Sequence, residues 1–235
     1  MARTLTPTTA FRISLAAGLV VLALTVLNLL QTPPTPCGDL RAGYAPIIAF
    51  ELARSQADFD AIFGTASDAC RVAMTDRMDT TNWVDALLLV PVYSLFLIFF
   101  LVGMRTRQAS LATFGIPVVL LASFGDYVEN LCLMQLTANL DAHSFWATLL
   151  VWATGVKWLG LGAVSAIGAL IYAQGQPRNL VAVIVCALSA ALVVAAIVQP
   201  GKFGQLISPA VAIGWVTFLL SAAMGSRSSP VRELD

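Results

Sequence analysis

The stretch Ala109 to Leu136, ASLATFGIPVVLLASFGDYVENLCLMQL, is apolar over enough residues to cross a bilayer, yet it carries an aspartate, a glutamate and an asparagine inside it. A spanning helix needs about 20 mostly apolar residues. On such a helix, positions three and four apart share a face, so Ser123, Asp126, Glu129 and Asn130 form one stripe, extended by Val119, Ala122 and Leu133. An ionised group near the bilayer centre costs about 2.5–3.5 kcal/mol on insertion scales, and such groups face protein or water rather than lipid. The stripe therefore predicts a helix whose polar face turns into a bundle, and it is the first candidate for a functional site.

Working outward, the same length criterion picks out six apolar segments: Phe11 to Leu30, Trp83 to Met104, Ala109 to Leu136, Phe145 to Ala173, Leu180 to Val198 and Phe203 to Met224. Of the 235 residues, 58% are hydrophobic and 11% charged, against about 25% charged in soluble domains. The expected fold is an all-α polytopic membrane bundle of six transmembrane helices, with the lipid bilayer as its first partner. A formal net charge of zero offers no basic surface for nucleic acid. The third and fourth segments exceed the bilayer's need and must tilt, kink or project.

Orientation follows from arginine and lysine. With the N-terminus inside, Arg3, Arg12, Arg105, Arg107, Arg178, Arg227 and Arg232 are cytoplasmic. In the long loop on the other side, Arg41, Arg54, Arg71 and Arg77 are outnumbered by acids that include Asp39, Glu51, Asp58 and Asp60. The organisation read from this is a cytoplasmic N-terminus (1–10), a first transmembrane helix (11–30), a small helical extracytoplasmic cap (31–82), five further spans (83–224) and a cytoplasmic tail (225–235), placed in the plasma (inner) membrane.

The cap opens on Pro33-Pro34-Thr35-Pro36-Cys37, which cannot be helical. Beyond it, Ile47, Ile48, Phe50 and Leu52, then Phe59, Ile62 and Phe63, predict short amphipathic helices, with Ser55 or Asp58 as N-cap, Gly64 as a stop and Ser67 as a further cap. A piece this small has little core and should rest on the spans as a lid. Cys37 and Cys70 share the cap and, on an oxidising face, are candidates for a disulfide. Cys132 and Cys186 read as apolar fillers. With one histidine, His143, and no ligand spacing, no metal site is expected. No cofactor is expected either, since one histidine cannot supply paired haem ligation between spans.

Two more spans contribute to the candidate site. In the second, Asp85 lies near the outer boundary, Pro91 should kink the helix near Leu87, and Tyr93 can present its hydroxyl inward. The fourth holds the one intramembrane base, Lys157. The short connection from Thr137 to Ser144 makes the third and fourth spans antiparallel neighbours, which brings Asp126 and Lys157 to similar depth. Pairing lowers the cost of both charges. Gly162 and Ala166 below Lys157 have the spacing of a close helix crossing.

Three acids, Asp85, Asp126 and Glu129, thus face one base, with Asn130 and Tyr93 beside them. The excess of negative charge favours a proton, a cation or an amine-bearing small molecule, and raises carboxyl pKa values. The expected function is a small transporter or ligand-binding protein that works by proton or cation exchange through a cluster facing the outer side. Two alternatives stay open. One is a membrane-embedded enzyme acting on a lipid or other apolar substrate by carboxylate acid/base chemistry. The other is a structural or assembly partner of another membrane protein, engaged through the cap, or a homo-oligomer. The cluster itself has a second reading, an internal brace of Asp126, Asn130, Lys157 and Asn28.

Overall fold

Each apolar segment folds as a helix because a backbone without water must satisfy its own hydrogen bonds. The computed structural model describes residues 5–30, 35–41 and 43–227. The first span is α1 (Pro7–Leu30). Two short helices of the cap follow, α2 (Pro46–Glu51) and α3 (Gln56–Phe63). Then α4 (Arg71–Val84) runs through a π-helical turn (Asp85–Leu89) into α5 (Val90–Met104). The long helices α6 (Ala109–Ala138), α7 (Phe145–Gln174) and α8 (Leu180–Val198) come next. The chain finishes with the single turn α9 (Pro200–Phe203), a 3₁₀ turn (Gly204–Leu206) and α10 (Ile207–Ser226). Six of the resulting helical stretches are long and apolar enough to cross a membrane.

These six close into a ring in chain order. Helix α1 packs on α5, α5 on α6, α6 on α7, α7 on α8 and α8 on α10, and α10 returns to α1. Small residues set several of the contacts. The Phe11 ring covers Gly103 and Gly225, and the Ser14 hydroxyl donates to the Phe96 carbonyl at 2.9 Å. Because α1 starts where α5 and α10 end, both ends of the described chain lie on one face of the ring. The cap lies on the other, where the Tyr44 hydroxyl donates to the Pro200 carbonyl and the Gln56 side chain accepts from the Ala142 amide at 3.2 Å.

The π turn has a local cause. Pro91 has no N–H to donate to Leu87, the residue four positions earlier, so the ladder cannot continue with α-helical spacing there. The sequence predicts a kink near Leu87. What forms is a widened turn that keeps α4 and α5 one continuous helix, Arg71–Met104.

The cap borrows its core from the spans. Phe50, Phe59, Ile62 and Phe63 are buried together with Met74 and Met78 of α4, Leu133 and Leu136 of α6, and Leu150 of α7. Ser55 caps α3 and Asp58 returns the bond to complete a capping box. Gly64, at φ 67°, ends the helix in a region that favours glycine. Ser67 does not cap the next helix. Asp68 accepts from the Thr65 amide and hydroxyl instead, and Cys70 precedes α4 without a side-chain cap. Cys37 and Cys70 are joined by a disulfide, with Cα atoms 6.0 Å apart. Pro33 and Pro34 of the lead-in lie outside the described residues.

Candidate functional site

The site begins with how closely α6 and α7 approach. A Cβ placed on Gly125 would lie 2.9 Å from the backbone nitrogen of Lys157, and one on Gly160 would lie 2.7 Å from the Cβ of Ala122. No room exists for a larger residue at either position. With the helices this near, Lys157 extends along the stripe of α6 rather than away from it.

Its ammonium nitrogen meets three carboxylates: Asp126 Oδ1 at 3.1 Å, Glu129 Oε1 at 2.5 Å and Glu51 Oε1 at 3.2 Å. The other groups fix these acids in place. Tyr93 donates its hydroxyl to Asp126 Oδ2 at 2.8 Å. The Asn130 amide donates to Asp126 Oδ1 at 3.2 Å and to Asp85 Oδ2 at 2.7 Å, linking the buried cluster to a half-buried fourth acid. Ser94 and Ser123 share a hydrogen bond of 2.6 Å one turn away on the same two helices. The candidate residues Asp85, Tyr93, Asp126, Glu129, Asn130 and Lys157 therefore form one connected network. The side chain of Asn28 lies outside the described part of the structure.

Glu51 is the residue that sequence reasoning missed. It ends α2, and its carboxylate enters the cluster from above, accepting from Lys157 and, through Oε2, from the Trp158 indole N–H at 2.9 Å. The Thr154 hydroxyl holds the Glu51 carbonyl at 3.2 Å. One sign was available: Glu51 is the lone charge in the run Pro46-Ile47-Ile48-Ala49-Phe50-Glu51-Leu52-Ala53. Its depth was not, because nothing local states how far a loop descends.

The core of the network is sealed, while Asp85 at its edge is half-buried. Relative exposure is 5% for Glu51, 1% for Asp126, 0% for Glu129 and 6% for Lys157, so the outward opening expected for the stripe is covered by α2. Two cavities, of about 240 and 300 Å³, lie in and beside the cap, and neither is lined by these residues. Three buried carboxylates surround one ammonium, and attraction to Lys157 cannot offset all three. Burial holds the Glu51 carboxyl above its usual 4.5, and Lys157 pulls it down without cancelling the effect. Among the described residues, Glu129 Oε2 is buried with no hydrogen-bond partner.

No family model, curated protein or solved structure matches this chain. The chemistry of the cluster is therefore the guide to what the protein does.

Proposed function

We propose that this multi-pass membrane protein is a small transporter that exchanges a proton or a monovalent cation at the Glu51, Asp126, Glu129 and Lys157 cluster, with α2 as the door. The observation that carries this reading is the count of three carboxylates to one ammonium in a buried site. Closing the door inserts a third negative charge beside Lys157, which calls for a positive charge to enter with it. Opening it hydrates the acids and releases that charge. In this reading the cap faces the oxidising side of the plasma (inner) membrane and both termini are cytoplasmic; the Cys37–Cys70 disulfide supports that placement.

The test is flux through sealed vesicles containing the purified protein and an internal pH-sensitive dye, with sodium, potassium or choline outside. The wild type should dissipate an imposed proton gradient faster than protein-free vesicles under at least one of these cations. Asp126→Asn and Glu129→Gln should lose that flux while remaining folded. Wild-type flux no greater than that of empty vesicles under all three cations would end the transport reading. A second reading, in which the cluster is an internal brace, is favoured by the burial of Glu51, Asp126, Glu129 and Lys157, and it predicts that both substitutions abolish folding.

A further inference from the structure

The smaller of the two cavities, about 240 Å³, lies between the cap and the cap-side end of α7 and is lined by Arg54, Phe59, Ala147, Thr148, Val151 and Trp152, among others. Arg54 is its one ionisable lining residue. The Arg54 guanidinium uses Nη1 to donate to the carbonyls of Glu51 at 3.1 Å and Ala53 at 2.7 Å. Among the described residues, Nε and Nη2 have no hydrogen-bond partner and no carboxylate lies within 4.0 Å. The nearby Asp58 carboxylate is committed elsewhere, accepting through Oδ2 from the Arg54 and Ser55 amides and the Ser55 hydroxyl. Burial pushes the guanidinium below its usual basicity. Arg54 is exposed, and a guanidinium with a free planar edge at the mouth of a cavity fits a phosphate, whose oxygens can accept two parallel bonds.

The opposite wall says what the phosphate is attached to. Trp152 is 72% and Val151 38% exposed, and both sit on a helix long and apolar enough to span a membrane, so their free surfaces turn toward the bilayer. Trp152 is seven residues beyond Phe145, the start of α7, which places it roughly 10 Å along the helix axis from its cap-side end. A ligand with its anion on Arg54 and its chain along Val151 and Trp152 would lie as a membrane lipid lies. We propose that this cavity holds the phosphate headgroup of an anionic phospholipid from the leaflet on the cap side. The larger cavity is unsuited to that role because Asp39 and Asp58 line it together with Arg41 and Arg54. The inference does not rest on transport by the cluster.

The experiment compares retention of phosphatidylglycerol and phosphatidylcholine with identical chains by the purified full-length protein, counted by native mass spectrometry. The wild type should favour phosphatidylglycerol. Arg54→Gln should reduce that preference about tenfold, the loss of a charge-assisted hydrogen bond or more. Ala147→Phe fills the cavity while leaving Arg54 in place, and should have the same effect even if Arg54→Gln fails to fold. Arg105→Gln, at the far end of the bundle, should leave the preference unchanged. The proposal is overturned if Ala147→Phe keeps the wild-type preference, if both lipids bind equally, or if soluble glycerol phosphate displaces the lipid at matched concentration.

Discussion

Replacing Glu51 with glutamine should change how stability depends on pH more than it changes stability itself. In the unfolded chain Glu51 gives up its proton near 4.5, whereas in the folded protein burial raises that value. Between the two, the folded state holds a proton that the unfolded state has lost. Stability must therefore fall as pH rises across this interval, by about 1.4 kcal/mol per pH unit for one proton. Below 4.5 both states are protonated and the slope vanishes; above the folded value both are ionised and the loss is complete. Glutamine imitates the protonated acid and removes one negative charge, so the slope should shrink by about 1.4 kcal/mol per pH unit.

One geometric cost opposes this. Glu51 accepts from both Lys157 and Trp158, and an amide has a single acceptor oxygen, so about 1 kcal/mol is lost at every pH. The variant should be slightly weaker than wild type in mild acid, and the difference should narrow or reverse as pH rises. Reversible unfolding in mixed micelles, followed by tryptophan fluorescence between about pH 5 and pH 8, resolves a difference of this size. Parallel profiles for the two proteins would show that Glu51 adds no proton to the folded state and would overturn this prediction.

Removing the cation should be far worse than removing an anion. Lys157→Met leaves three buried acids facing one another and should cost about 3–5 kcal/mol in the same unfolding assay, with partial recovery when Glu129→Gln is added. Gly125→Ala tests the spacing: its methyl group would lie 2.9 Å from the Lys157 backbone nitrogen, so the α6–α7 contact must open, at about 1–3 kcal/mol. The pH slope should change with it, because the Lys157 contacts to Asp126 and Glu129 depend on that approach.

The six spans were legible in the sequence because a bilayer imposes its thickness on each helix separately; every segment from α1 to α10 could be judged by its own length and apolarity. The shared face of Ser123, Asp126, Glu129 and Asn130 was legible for a similar reason, since helical periodicity is local, and the short connection to α7 tied Lys157 to it. Other features needed the assembled molecule. The π turn at Asp85–Leu89 could be anticipated as a disturbance from Pro91 but not in its form, because a kink and a widened turn both accommodate the missing donor. Cys37 and Cys70 could be paired by compartment, but their approach is a matter of where the cap folds.

Glu51 marks the boundary most sharply. In the sequence it is one acid in a loop of mixed charge, and its neighbours Phe50 and Leu52 predict only that α2 buries one side. Phe50 sits in a core shared with α4, α6 and α7, and that docking lowers the end of α2 onto Lys157 and Trp158. Local chemistry determined which residues dislike lipid and which face of each helix they share. Only the packing of the cap on the ring decided that a third carboxylate joins the first two, because burial depth is a property of the whole assembly and has no signature in the residues nearby.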